Sequence, residues 1–170
     1  MTLDDLGWNE AFAEGFAPFA ERGLIPARLV RETKINYAAL LEGGEEIDCG
    51  LGGKVWHEAE NDADLPSVGD WVALDRGGNC DEVIIRERLP RFSRFSRKMP
   101  GKSAQEQVLA ANVDIVVVVT DPGGDFNLRR MERYLTLIER CGAQPVVLLN
   151  KACLLYTSDA ADEGLGVDLG

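Results

Sequence analysis

From Ile115 to Val119 the chain reads I-V-V-V-V, five β-branched apolar residues in a row between Asp114 and Thr120. A strand of that composition has no polar face to offer water. It belongs in a parallel sheet covered on both sides. Asn127 is placed to cap a helix from Leu128 to about Arg140, with Leu128, Met131, Leu135 and Ile138 along one face and Gly142 as its stop. Val146 to Leu149 is a second strand of the same kind, ending at Asn150-Lys151. Strand, helix and strand in succession make one right-handed βαβ crossover. Two strands cannot bury both of their own faces, so this module is expected to be the opening piece of a larger α/β domain.

The first half follows a different grammar. Trp8, Phe12, Phe16 and Phe19 share one helical face over about Trp8 to Ala20, before Gly23. An amphipathic helix packed on the following residues is the simplest account, and a free partner-binding helix is the other. Five short extended runs come next: Ala27 to Thr33, Ile35 to Leu41, Glu46 to Leu51, Trp71 to Asp75, and Glu82 to Leu89. Gly43-Gly44, Gly52-Gly53, Pro66-Ser67 and Gly77-Gly78-Asn79 punctuate them. Such a series predicts a small barrel. A single helical turn over Lys54 to Glu60, between the third and fourth runs, suits an OB-fold, although SH3-like barrels also have five strands.

Charge is distributed unevenly. The net charge is −11, yet Arg86 to Lys102 holds seven basic residues and only Glu87 as an acid. That segment alone can attract a polyanion. Arg91, Arg94, Arg97, Lys98 and Lys102 are the candidate phosphate-facing residues. Phe92 and Phe95 are interleaved with them, and Phe95 is the preferred stacking ring for an unpaired base. The competing account is a solvated basic linker. Four cysteines without a C-x-x-C, and His57 as the lone histidine, make a poor zinc set. No apolar run approaches the ~20 residues of a membrane span, and Met1 to Asp5 lacks the basic start of a signal peptide. A reduced, cytoplasmic chain with neither membrane nor DNA as partner is expected.

Three segments look like nucleotide motifs. Gly101-Lys102-Ser103 has the end of a phosphate-binding loop, but Ser96 stands where G-x-x-x-x-G-K-[ST] needs glycine, so that reading is set aside. Asp121-Pro-Gly-Gly124 fits D-x-x-G, but a tight turn after a strand is the favoured account. Val147-Leu-Leu-Asn150-Lys151 is better placed. It looks like the start of the guanine motif N-K-x-D, at the C-terminal end of a buried strand where open α/β sheets bind ligands. Cys153 occupies the aspartate position.

Taken together, Leu6-Gly-Trp8-Asn, Val68-Gly-Asp-Trp71-Val, Leu89-Pro-Arg91, Ser93-Arg-Phe-Ser-Arg97-Lys98, Glu106-Gln107 with Ala111-Asn112-Val113-Asp114, and Asp125-Phe-Asn127-Leu-Arg-Arg130 closely resemble the bacterial ribosome small-subunit-dependent GTPase family (RsgA). The resemblance runs in order from Leu6 to Ala152. It implies an N-terminal OB-fold followed by a circularly permuted P-loop GTPase domain in which N-K-x-D comes first. It further implies GTP hydrolysis with Mg²⁺, a C-terminal zinc module, and action late in 30S subunit maturation on 16S rRNA. Asn150 and Lys151 become guanine-binding residues, and Ser93 joins the RNA-contacting set. The alternative function is a non-enzymatic OB-fold RNA-binding module.

The departures bound those expectations. The phosphate loop, the D-T-P-G motif, the guanine-specific aspartate and the zinc ligands are absent. Neither catalytic residue nor bound cofactor is therefore expected of this chain by itself. Cys153 to Glu163, C-L-L-Y-T-S-D-A-A-D-E, resembles the in-frame translation of a transposase adapter used in sequencing libraries. Val167 to Gly170 fits the adapter's next fixed string in the same frame. The expected organisation is an N-terminal helical segment (1–23), an OB-fold (24–90), a basic linker (91–112), a truncated GTPase domain (113–152) and an adapter-derived tail (153–170).

Overall fold

The computed structural model describes residues 1–33, 36–77, 82–98, 106–123 and 126–152. Two compact units divide the chain after Val113.

In the first unit, helix α1 (Glu10–Ala20) begins where Asn9 accepts a hydrogen bond from the Phe12 amide at 3.0 Å, the side-chain cap that such residues favour. Five strands close into a barrel in the order β1-β2-β3-β5-β4. They are β1 (Ile25–Glu32), β2 (Tyr37–Leu40), β3 (Glu46–Leu51), β4 (Trp71–Asp75) and β5 (Ile84–Arg88). All neighbours are antiparallel except β3 and β5, which run parallel. A short helix α2 (Gly53–Glu58) lies between β3 and β4. This order, with its helical interruption, is the OB-fold arrangement and leaves the SH3-like alternative aside.

Alternation along β4 explains how α1 attaches. Val72 and Leu74 join Leu29, Ala39, Cys49 and Ile85 inside the barrel. Trp71 and Ala73 point the opposite way, into a second cluster with Phe12, Phe16 and Leu89. Period-two patterning thus gives one strand two cores. Trp71 is fully buried, with Trp8 set edge-on at 4.6 Å between centroids. The amphipathic helix expected from Trp8 to Ala20 therefore packs on the barrel rather than standing free.

The described residues of the expected linker, 91–98 and 106–112, belong with the barrel. β6 (Arg94–Lys98) and β7 (Glu106–Ala111) pair antiparallel within the same unit as the barrel. The junction is built from backbone bonds: the Gly69 amide donates to Leu29 O and the Ala111 amide to Val68 O, both at 2.8 Å. Asn112, with a left-handed φ of 53°, is buried there. Its side chain accepts from the Phe92 amide and donates to Gly69 O, each at 3.0 Å. The Arg28 guanidinium reaches both Leu6 O and Asn112 O. Ser93 Oγ donates to Val113 O at 2.9 Å and accepts from the Val113 amide at 2.7 Å.

The second unit contains β8 (Ile115–Thr120), α3 (Leu128–Cys141) and β9 (Gln144–Leu149), with the strands parallel and paired from Ile115↔Gln144 to Thr120↔Leu149. Asn127 caps α3 through the Arg130 amide, and Gly142 ends it at φ 83°. Met131 and Ile138 are buried as expected, but Leu128 is exposed. Burial of both strand faces does not hold in this chain. Ile115, Val117 and Val119 are 54%, 50% and 59% exposed. Only α3 packs against the pair among the described residues, and one helix can cover one face.

Candidate functional site

The parallel pair ends in two turns on its C-terminal side. At the end of β9 the Asn150 amide donates to Thr120 O at 2.8 Å, tying it to the last residue of β8. Asn150 Oδ1 accepts from the Lys151 amide, and Lys151 adopts a left-handed φ of 58°. Both residues are exposed. Side-chain acceptance from its own neighbour's amide is how asparagine stabilises a sharp turn at a strand end. The turn places Asn150 and Lys151 at the carboxyl edge of a parallel sheet, the position at which open α/β sheets bind ligands. Asp121, at the end of β8, accepts from the Gly123 amide at 2.8 Å. That carboxylate is engaged in its own turn, in keeping with the tight-turn account of Asp121-Pro-Gly-Gly124. Gly124 lies outside the described residues, as does Cys153.

The basic segment divides into residues that hold the fold and residues that face water. Arg91 belongs to the first group. Its guanidinium donates to both oxygens of Asp70, from Nε at 2.8 Å and Nη2 at 2.6 Å. It also donates to Ala63 O at 2.7 Å and Leu65 O at 2.8 Å. The side chains of Arg91 and Asp70 are 8% and 0% exposed. With four of its five N–H donors on a buried carboxylate and two carbonyls, this cation is held inside the fold, so the expectation that Arg91 faces phosphate is corrected. Ser93 is likewise buried, its hydroxyl spent on Val113. As an RNA contact it is corrected too, because its one donor is spent inside the fold.

Charges beside this pair respond to it. Burial, followed by repulsion from Asp70, raises the Glu32 carboxyl above its usual range, while Arg91 pulls it down. Arg88 is lowered by burial first and by the Arg91 charge second. Tyr37 is pushed up to about 12, chiefly by burial, and Cys49 to about 11 for the same reason. Tyr37 and Cys49 therefore stay protonated at neutral pH.

Strand β6 carries two exposed cations among the residues whose side chains are described, Arg94 and Arg97. Alternation puts Arg94 and Ser96 on one face and Phe95 and Arg97 on the other. Arg94 lies 3.7 Å from Glu106, to which the Ser96 hydroxyl also donates. Arg97 donates to the Gln107 side chain at 3.3 Å. These partners are solvated and loosely held, so they exchange readily for phosphate. The two rings differ from the ranking expected of them. Phe95 is half-buried, whereas Phe92 is 53% exposed, with its ring 6.0 Å from Phe12. Lys102 falls outside the described residues. No local signal marks Asp70 as the partner of Arg91, since they stand 21 residues apart with two barrel strands between them. Asn112 was visible only inside a family-like string.

The chain resembles known proteins. The family model described as RsgA GTPase matches residues 88–165, running past Ala152 into the tail. A protein named small ribosomal subunit biogenesis GTPase RsgA from Opitutus terrae is 45% identical over 162 residues, covering 91% of this chain and 44% of its own length. Its namesake from Syntrophotalea carbinolica is 40% identical, with 89% and 43% covered. That from Streptomyces coelicolor is 36% identical, with 90% and 40% covered. The chain thus spans less than half the length of these relatives. Over the part of their length that it spans, the chain is similar in sequence to the RsgA GTPases.

Proposed function

We propose that this chain supplies the RNA-docking barrel and the first guanine contacts of a cytoplasmic GTPase that assists late maturation of the small ribosomal subunit, with 16S rRNA as its docking partner. The observation that carries the reading is the pairing of an OB-fold unit bearing an exposed cationic strand with an Asn150-Lys151 turn at the carboxyl edge of a parallel sheet. In that reading Asn150 braces the turn while the Lys151 stem lies along a guanine plane. GTP and Mg²⁺ would supply the phosphoryl chemistry in the longer protein. No cluster of three or more His, Cys, Asp or Glu able to hold a metal exists among the described residues. The described residues thus assemble no donor set for Mg²⁺ or zinc, and no catalytic step is assigned to them. No helix among the described residues is long and apolar enough to cross a membrane.

RNA docking runs through Arg94, Arg97, Lys98 and Lys102, without Arg91 and Ser93. Four phosphate contacts to single-stranded RNA predict a log K against log salt slope of roughly −3, at about 0.7 per contact. The Arg94→Ala/Arg97→Ala double variant is expected to bind small ribosomal subunits more weakly and to lower the slope by about 1.4. An unchanged affinity and slope in a salt titration would remove β6 from the interface.

Guanine recognition by this chain alone is expected to be too weak to detect. Cys153 cannot replace an aspartate that accepts two hydrogen bonds, a loss of about 2–4 kcal/mol. There is also no phosphate-binding loop to add affinity. Calorimetry at micromolar protein should record no GTP binding, and a guanine-selective heat would show that the strand-end turn suffices.

A further inference from the structure

Helix α3 carries a charged stripe that the reading above does not use. Arg129, Arg133 and Arg140 are all exposed. At 3.6 residues per turn they fall within about 40° of one another. They lie opposite Met131 and Ile138, the residues buried on the inner side of the helix. The stripe is therefore the outermost line of α3.

Its chemistry differs from that of the ion-paired surface arginines. In the barrel unit Arg31 pairs with Glu46 and Asp48, Arg76 with Glu45, Arg86 with Asp75 and Arg94 with Glu106. Arg129, Arg133 and Arg140 have no ion pair or hydrogen-bond partner among the described residues, although Glu132 and Glu139 sit on the same helix. Local helix electrostatics also oppose the arrangement. Arg129 and Arg133 repel at i,i+4. The first turn holds two cations and no acid at the positive end of the macrodipole. An acidic chain thus carries three guanidinium groups in line, of which Arg129 and Arg133 come at a cost to the helix while Arg140 sits in the last turn, where the macrodipole favours it.

We propose that the Arg129–Arg133–Arg140 stripe is a second contact for the phosphate backbone of RNA, separate from β6. Eleven residues of helix span about 16 Å at 1.5 Å per residue. One small anion cannot meet all three cations, whereas a line of phosphates can. Guanidinium groups suit the task because their planar fork binds phosphate oxygens in pairs and never loses its charge. The inference deepens the RNA-docking reading and rests on it for the class of partner, but not for the residues.

The test measures binding of the intact chain to single-stranded polyuridylate across salt concentration. Arg129→Gln/Arg133→Gln/Arg140→Gln is expected to weaken binding and lower the slope by about 2, at about 0.7 per lost contact. The corresponding triple lysine variant keeps the charges and should retain the slope, which separates lost contacts from a misfolded helix. The Arg94→Ala/Arg97→Ala variant is measured in parallel. Loss of slope in the glutamine variant alone supports the stripe while removing β6; loss in the β6 variant alone overturns the stripe and leaves the RNA-docking reading intact. Equal slopes for wild type and both variants overturn the stripe as well. Competition by polyaspartate that fails to relieve RNA binding supports phosphate as the ligand. Direct, slope-matched binding of polyaspartate would reassign the stripe to an acidic protein and overturn the proposal.

Discussion

Arg91→Ala is expected to destabilise the barrel unit by about 3–5 kcal/mol, the usual cost of leaving one half of a buried ion pair without the other. The substitution strands the carboxylate of Asp70, which is completely buried and keeps, among the described residues, only the Ser67 amide at 2.8 Å. It also removes donors from Ala63 O and Leu65 O. Removing both charges together, as Asp70→Asn with Arg91→Met, should cost less than the single change, because no isolated carboxylate remains. Urea titration followed by tryptophan fluorescence reads this directly, since Trp71 lies next to Asp70 in the chain. A loss below 1 kcal/mol for Arg91→Ala would show that the pair is not the anchor described. Where the variant is still folded, its RNA-binding slope should match the parent's, which distinguishes a structural arginine from one that meets phosphate.

Gly69→Ala should be nearly as damaging, for a reason of space rather than charge. A Cβ at this position would sit 2.1 Å from Ala111 O and 3.1 Å from its carbonyl carbon, both backbone atoms. The φ of 90° adds strain for any L side chain. Left-handed strain of about 1–2 kcal/mol and overpacking of about 1–3 kcal/mol give a loss of roughly 2–5 kcal/mol. Relief comes only if β7 moves off the barrel, so the damage has a location. Amide exchange should accelerate over Glu106–Ala111 and at Asn112 while Ala27, Leu29 and Val72 stay protected. Uniform acceleration through the barrel strands would contradict that localisation.

The barrel was legible because its strands alternate and its turns carry glycine or proline. Expected and observed limits of β3 and β4 coincide, and the others differ by a few residues. Closure of β1 on β4 was not legible, since strand order is a matter of tertiary pairing and leaves no local mark. The β6–β7 pair escaped for a different reason. Arg94 to Lys98 is polar on both faces apart from Phe95, so neither helical nor strand periodicity stands out, and density of charge was the stronger signal. The same density drew Arg91 into the phosphate-facing set, when burial, invisible in a list of basic residues, decides its role. For β8 and β9 the composition correctly announced parallel strands. It could not announce how much of their surface the 170 residues of this chain would cover.

The Arg28 guanidinium grips Leu6 O near the start of the barrel unit and Asn112 O at its finish. One side chain only a few ångströms across can do so only if entry and exit lie side by side. A unit whose two ends meet behaves as a cassette: it can be spliced into a host loop, or its ends joined and reopened elsewhere, without stretching the connection. The downstream unit can in turn be lengthened, replaced or rearranged in order while the barrel keeps a single doorway for both strands of the connection. Rearranged gene architectures that retain this barrel are, in that sense, physically inexpensive.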